Sequence, residues 1–245
     1  MRTLSGRILA LISPVAVVCA RPAQAHEREF TQSRDWHLPY KGEHEFELRS
    51  FIDTTHGDFR GQLEYEYGVT RHFAFEPGIE VKENEEGEQE LEGADLELRF
   101  NLGEYRRGAW LPAFNLEYEH PFENDEADRL ELKSVLSRYG ERNDFTVNLN
   151  FGKELEGERE GESELTAGWV YKLTAADSDG QVLPSGYKLG LELVEDLEEH
   201  NTRAGPLVPW RANPHLHLLA SYLPAIDDRG GDNFDQLSVI LEWEL

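Results

Sequence analysis

Cysteine is almost absent from this sequence, and its absence limits how the fold can be held together. The 245 residues include one cysteine, Cys19, which lies in an N-terminal segment that we expect to be removed. The remaining chain can therefore form neither a disulfide bond nor a cysteine-ligated metal centre. An exported chain of this kind has to be stabilised by its own sheet or core.

Long hydrophobic runs are also lacking. Beyond residue 25 no apolar run approaches the roughly 20 residues that a membrane-spanning helix needs, and the mean hydropathy is −0.61. These features exclude a helical membrane protein. They do not exclude a membrane β-barrel, because only every second residue of each barrel strand faces lipid and the average stays polar.

Basic residues are scarce as well. The chain has 24 Lys and Arg against 49 Asp and Glu, which gives a formal net charge of −25 at pH 7. A surface this acidic does not attract nucleic acid or anionic lipid headgroups, so we expect no nucleic-acid partner. The balance is compatible with attraction of cations, although adaptation of solvent-facing residues is the simpler explanation.

Residues 1–25 have the features of a cleaved secretory signal peptide. Arg2 and Arg7 form a basic start, a short apolar core follows, and Ala23-Gln24-Ala25 is a small-x-small cleavage site. We therefore expect an exported protein, with residues 26–42 as a periplasmic lead-in and residues 43–245 as the folded domain.

Most of that domain alternates apolar and polar side chains, which is the period of a β-strand. The clearest case is a hairpin over residues 62–76, in which Leu63 and Tyr65 share one face and Glu64 and Glu66 share the other. About twelve such strands can be counted to the end of the chain. The weakest is the tenth, near residues 206–210, since it contains two prolines.

The connections between these strands alternate too. Odd-numbered connections tend to be longer and acidic, whereas even-numbered ones tend to be short and to carry Lys or Arg; residues 174–186 break the rule. Short turns at one end and long loops at the other are typical of outer-membrane barrels with both termini in the periplasm. The pattern predicts an all-β fold, an antiparallel up-and-down transmembrane β-barrel of about 12 strands.

The apolar face has to meet either lipid or a second sheet, because a soluble β-sandwich alternates in the same way. Aromatic residues near the predicted strand ends favour lipid, since such residues form girdles at membrane interfaces. We therefore expect the outer membrane as the location and its lipid as a partner. The aromatic residues concerned are Tyr65, Tyr67, Trp110, Tyr118, Trp169, Tyr171, Tyr187, Tyr222 and Trp243.

The polar face of the predicted strands would line the lumen. Acids outnumber bases on it, so full pairing is impossible and some carboxylates have to be hydrated or protonated. This indicates either a narrow cation-preferring pore or a plug of salt bridges that holds the wall together. The candidate lumen-lining residues are Glu45, Glu47, Arg49, Glu64, Glu66, Glu76, Asp95, Glu97, Arg99, Glu117, Glu119, Lys133, Lys172, Glu192, Glu242 and Glu244.

Two short motifs carry a resemblance to a known family. The runs Pro39-Tyr40-Lys41-Gly42-Glu43-His44-Glu45-Phe46-Glu47 and Leu63-Glu64-Tyr65-Glu66-Tyr67-Gly68-Val69-Thr70 resemble the opening of poorly characterised bacterial outer-membrane β-barrel proteins. These are porin-like or transporter-like barrels, including some associated with aromatic-compound degradation clusters. The resemblance implies the fold, the outer-membrane location, folding by the barrel-assembly machinery and uptake of small solutes. The chain departs from the pattern at its last residue, Leu245, where an aromatic residue is usual.

No arrangement of residues in the sequence predicts an active site. His215 and His217 share one strand face and could ligate a metal, but polar rim positions explain them more simply. The acidic run over residues 227–233 does not have EF-hand spacing, and no Gly-x-Ser-x-Gly elbow occurs. We therefore predict a non-enzyme without catalytic residues, metal or cofactor, which acts as a narrow channel for small solutes or cations. The alternatives are a barrel-wall enzyme or metal-handling protein, and a soluble periplasmic β-sandwich binding module.

Overall fold

The computed structural model describes residues 28–83, 87–123, 126–156, 161–173, 188–213, 215–228 and 234–245. Within these ranges the regular structure consists of β-strands. In chain order the strands are β1 (His44–Asp53), β2 (Phe59–Thr70), β3 (Phe73–Glu83), β4 (Gln89–Asn101), β5 (Trp110–Pro121), β6 (Arg129–Tyr139), β7 (Asn143–Glu154), β8 (Gly161–Lys172), β9 (Lys188–Asp196), β10 (Asn201–Asn213), β11 (Leu216–Leu223), β12 (Ala225–Asp228) and β13 (Gln236–Glu244).

The described part of the chain contains no helix of sufficient length and apolar character to cross a membrane.

The strands form one closed antiparallel wall. Each strand from β1 to β10 pairs with the next, and β13 then pairs with both β11 and β1, which closes the ring. The short β12 pairs with β10, as β11 does, and Pro224 alone separates the two, so β12 continues β11 along the same neighbour. The described wall therefore has twelve strands, and the predicted up-and-down barrel is confirmed.

The two faces of the wall differ in exposure and in chemistry. Leu63 is 45 % exposed, whereas its neighbour Glu64 is 1 % exposed. The same alternation runs along the other strands, with leucine and phenylalanine outside and carboxylates inside. A soluble sandwich would bury Leu63 in a core. A barrel with an apolar outer face and a polar inner face is suited to lipid.

Aromatic side chains gather on the outer face near the short turns. Phe100 stacks between Phe73 and Phe114, with ring centroids 4.9 and 4.8 Å apart. Tyr118 and Tyr222 lie at the opposite end, where each hydroxyl donates a hydrogen bond to a loop aspartate. Aromatic residues at both ends of the apolar band match the interfacial girdles of membrane barrels.

The expectation of a weak tenth strand near residues 206–210 needs adjustment. Strand β10 already begins at Asn201, and residues 201–205 pair with β9. The strand with two prolines is thus a full member of the wall. The long connection at residues 174–186 lies outside the described residues, as do residues 1–27 and most of the acidic run at 227–233.

The N-terminal segment, which we define as residues 28–38, lies inside the barrel. All of its residues except Gln32 and His37 are buried. It contacts widely separated parts of the wall: Arg28 pairs with Glu47 on β1, and the Ser33 hydroxyl donates to Thr166 on β8. The expectation of a periplasmic lead-in is thereby corrected for these residues, because their charged and aromatic side chains have partners on the inner face.

Candidate functional site in the barrel interior

The structure places all sixteen candidate lumen-lining residues on the inner face of the wall. Twelve of them are buried, and Glu47, Glu119, Lys133 and Lys172 are partly buried. They project from strands β1–β6, β8, β9 and β13. The two-residue period of a strand explains this placement, because side chains two apart share a face.

Arg34 of the N-terminal segment lies at the centre of the acidic part of the interior. Its guanidinium contacts one glutamate from each of three neighbouring strands: Glu76 at 3.0 Å, Glu64 at 3.5 Å and Glu97 at a shorter distance. Arg34 is 4 % exposed, and Glu64 and Glu97 are at most 1 % exposed. Carboxylates this deeply buried require a cation close by, and the N-terminal segment supplies it.

Two arginines of the wall extend this network. Arg49 contacts Glu64 at 2.7 Å, and Arg99 contacts Glu66 at 2.6 Å. Arg99 also donates a hydrogen bond of 3.0 Å to the carbonyl oxygen of His37. Residues of the wall and of the N-terminal segment therefore share one set of ion pairs. This part of the interior matches the plug of salt bridges, which was one of the two interpretations of the sequence.

Glu192 on β9 binds residues 31–33 of the N-terminal segment. Its carboxylate accepts hydrogen bonds from the backbone N–H groups of Gln32 and Ser33, at 3.0 and 3.3 Å, and from the Thr31 hydroxyl. On the same strand, Lys188 pairs with Glu29 at 2.7 Å. These contacts fix the backbone of the segment as well as its side chains.

Apolar side chains anchor the segment at two further places. Trp36 packs against an inward-facing cluster on β5 and β6 that includes Leu111 and Val135. Phe30 is fully buried against Val170 and Leu207. Sequence reasoning missed both anchors, although one signal was present: these wall residues are apolar at positions where the alternation predicts polar side chains.

A glycine on β8 makes room for the Phe30 ring. A Cβ atom at Gly168 would lie 2.2 Å from Cδ1 of Phe30, which is closer than real contacts allow. The absence of a side chain at Gly168 therefore lets the segment lie directly against the wall.

The N-terminal segment leaves the barrel at the end that carries the short turns. Its continuation reaches the start of β1, where the Gly42 N–H donates to the Gly68 carbonyl at 2.7 Å and the Gly68 N–H donates to Glu43 at 3.1 Å. A Cβ atom at Gly68 would lie 2.1 Å from the Tyr40 carbonyl oxygen. The glycine of the Tyr-Gly-Val-Thr motif thus permits the chain to cross closely over β2.

Toward the long loops the inner face has a different character. Lys133 pairs with Glu117, and Arg129 pairs with Glu119 and Glu131. Asp95 accepts a hydrogen bond from Gln62 at 3.2 Å. The described partners of these acids come from the wall itself, and carboxylates outnumber cations there.

The sequence matches no protein-family model and no curated protein. Solved structures do share the fold. The chain superposes on the NanC porin with a TM-score of 0.56 and 9 % identity, covering 82 % of this chain and 100 % of the porin. For the KdgM porin the TM-score is 0.56 and the identity 8 %, covering 82 % and 99 %. For an outer membrane channel from Pseudomonas putida F1 the TM-score is 0.58 and the identity 10 %, covering 87 % and 99 %.

Identities this low show a shared fold. The prediction of a porin-like outer-membrane barrel is thus confirmed at the level of architecture. What passes through the barrel, and whether any chemistry takes place on its wall, has to be argued from the residues of this chain.

Proposed function

We propose that this protein is an outer-membrane channel for small solutes or cations, and that its own N-terminal segment closes the passage from the short-turn end. The observation that carries the proposal is the burial of residues 28–38 among polar side chains of the inner face. The porin and channel structures that share the fold support it, as does the apolar outer face. In this proposal the outer face contacts outer-membrane lipid, and the barrel-assembly machinery is the folding partner.

The charge of the interior supports a preference for cations. The sixteen inward candidates include eleven glutamates and one aspartate against two arginines and two lysines. Acidic rings on a pore wall attract cations and repel anions. The half toward the long loops would then be the entry, where carboxylates are least neutralised.

The wall does not need the N-terminal segment in order to close. Strand β1 pairs with β13 over nine residue pairs, from Glu45 with Glu244 to Asp53 with Gln236. The segment is attached mainly through ion pairs and hydrogen bonds, which water can replace when the segment leaves. It is therefore suited to being a removable closure.

A reversible disulfide tests whether the segment closes the passage. The Ser33 Oγ and Thr166 Oγ1 atoms are 2.9 Å apart, which is compatible with a disulfide after replacement of both residues by cysteine. The only natural cysteine is Cys19, in the predicted signal peptide, so the mature double variant would contain one thiol pair. We expect the oxidised Ser33→Cys/Thr166→Cys protein to conduct poorly in planar bilayers, and reduction to raise its conductance to that of the unsubstituted protein.

The single variant Ser33→Cys is the matched control and should not respond to the reductant. A heat-dependent gel shift establishes that each variant is folded. Equal conductance in the oxidised and reduced states would refute closure by the segment. Folded protein that never conducts, either reduced or after deletion of residues 26–38, would refute the channel itself.

Catalysis is no part of this proposal. The expectation that the protein is not an enzyme stays a prediction.

A further inference from the structure

One histidine and two glutamates meet on the inner face beside the closure of the barrel. His217 on β11 lies directly opposite Glu242 on β13 in the strand register, and Glu244 follows two residues later on the same face. The His217 Nδ1 atom is 3.3 Å from Oε1 of Glu242, and its Nε2 atom is 3.8 Å from Oε1 of Glu244. The three residues are 2 %, 2 % and 6 % exposed.

The side-chain polar atoms of His217 and Glu242 have no hydrogen-bond partner among the described residues. Among the described residues, neither ring nitrogen of His217 has a hydrogen-bond partner, and neither carboxylate oxygen of Glu242 accepts a hydrogen bond. Within the same residues, His217 is the ion-pair partner found for Glu242, and no lysine or arginine nitrogen lies within 4.0 Å of its carboxylate. A buried carboxylate in this position is costly unless a positive charge is near.

We infer that His217, Glu242 and Glu244 form a binding site for one divalent transition-metal ion. One imidazole nitrogen and two carboxylates are ligands that zinc and its neighbours accept. One ligand atom from each residue can be chosen so that all three lie within 4.8 Å of one another, a spacing that small movements of the side chains would close around an ion. Only one ring nitrogen can bind the ion, since the two nitrogens point in different directions.

A small cavity adjoins the site and offers room for a further ligand. Its volume is about 10 Å³, and its lining includes Glu45 and Glu242 together with three arginines, which are Arg28, Arg34 and Arg99. That volume accommodates about one water molecule. A metal-bound water there would complete a four-coordinate shell with three protein ligands.

A second acidic cluster in the barrel provides a contrast. Glu117, Glu119 and Glu131 are equally close together, but Lys133 and Arg129 pair with them. Two cations therefore already lie against these three carboxylates, and none of the three residues is a histidine. This second cluster should therefore not bind a transition metal and can serve as an internal control.

The competing explanation for the first cluster is an imidazolium ion. If His217 is doubly protonated, it can form ion pairs with the carboxylates of Glu242 and Glu244 without any metal. The two cases differ in a direct measurement, because a metal ligand must be a neutral imidazole and binding of metal releases protons.

Titration with Co²⁺ tests the inference on the refolded full-length barrel in detergent. We expect one Co²⁺ per chain, with the visible absorption of a nitrogen- and oxygen-ligated ion, and displacement by Zn²⁺. Both His217→Gln and Glu242→Gln should weaken binding by at least about a hundredfold, since loss of even an indirect contact to a metal costs 10–100-fold. Because the ion would link β11 to β13, addition of Zn²⁺ should also raise the unfolding temperature of the unsubstituted protein, but not that of His217→Gln or Glu242→Gln.

His44→Gln and Glu119→Gln are the matched controls and should bind Co²⁺ as the unsubstituted protein does. The heat-dependent gel shift checks that each variant is folded. Absence of stoichiometric Co²⁺ binding would overturn the inference and leave the imidazolium ion pair. Binding that persists in a folded His217→Gln variant would also overturn it. Neither result depends on whether the barrel conducts.

Discussion

The two halves of the barrel interior use similar side chains in opposite ways. In the half with the short turns, Arg34 and the aromatic residues of the N-terminal segment occupy the space between the walls. In the half with the long loops, the described partners of acids such as Asp95 and Glu119 lie on the wall. In the first half, the N-terminal segment fills the interior and neutralises its carboxylates. The second half keeps an excess of carboxylates.

This difference shows that an acidic inner face does not by itself make a pore. Glu64 and Glu97 alternate along their strands just as Asp95 does, yet they are buried under Arg34. Carboxylates neutralised by the N-terminal segment and carboxylates paired with wall residues therefore share one wall. Substitutions in each half of the interior can test this difference separately.

The largest effect is expected from removal of the central cation. Arg34→Gln leaves Glu64, Glu76 and Glu97 in the interior without their shared partner. Loss of one partner of a buried ion pair costs about 3–5 kcal/mol, and we expect the free energy of unfolding to fall by about that amount. Urea unfolding of the barrel in lipid vesicles measures it.

The matched control for that prediction is Arg71→Gln. Arg71 pairs with Glu104 at 2.8 Å, but both side chains are about two-thirds exposed, at 70 % and 66 %. Exposed pairs contribute little because water and salt screen them, so the stability should hardly change. Equal losses in the two variants would mean that the N-terminal segment does not neutralise the interior.

An intermediate effect is expected where the segment touches the wall most closely. Gly168→Ala would bring a Cβ atom against the Phe30 ring and should lower the free energy of unfolding by about 1–3 kcal/mol through overpacking. In the background of Phe30→Ala, the same substitution should cost much less, because the ring is gone. Urea unfolding of the four proteins of this cycle gives the coupling.

Gly161→Ala on the same strand is the control, since a Cβ atom there would meet only a carbonyl oxygen at 3.7 Å. It should leave stability nearly unchanged. A penalty for Gly168→Ala that is equally large with and without Phe30 would contradict the packing described for the segment.

The smallest effect is expected in the long-loop half and concerns selectivity. Glu80→Gln together with Asp95→Asn removes two carboxylates from that half. Two unit charges about 7 Å apart in water interact by about 0.6 kcal/mol, so losing two such charges should reduce the cation-to-anion permeability ratio several-fold. Reversal potentials of the conducting state across a salt gradient measure this ratio.

Substitution of Glu198 and Glu199 by glutamine removes the same charge from the exposed β9–β10 loop and serves as the control. It should change the ratio less, because exposed charges are screened by salt. A ratio that responds equally to both pairs would show that the inner face does not set the selectivity.

The residues of the outer face of the barrel could be predicted from the sequence with few errors. Alternation at Leu63 and Glu64 predicted the correct side of the wall for each of them. The tenth strand was underestimated, because its prolines argue against a strand unless both neighbours already hold it in the wall. These are local properties, and a two-residue period is visible without knowledge of the fold.

The contents of the interior could not be predicted in the same way. The N-terminal segment has no period, and its partners are distant in the chain: Trp36 bonds with Ser137, 101 residues away, and Thr31 with Glu192, 161 residues away. The meeting of His217 with Glu242 likewise depends on the register between β11 and β13. His215 was the partner that the sequence suggested, because it was near in sequence.

By itself, then, the sequence determined the wall: its strands, its two faces and its suitability for lipid, since each follows from neighbouring residues and the pleat of a strand. Only the tertiary structure decided which of the inward acids are neutralised, which retain their charge and which come together with a histidine. Those outcomes depend on closure of the ring and on the return of residues 28–38 into it. The fold brings together charged residues from strands that are far apart in the sequence.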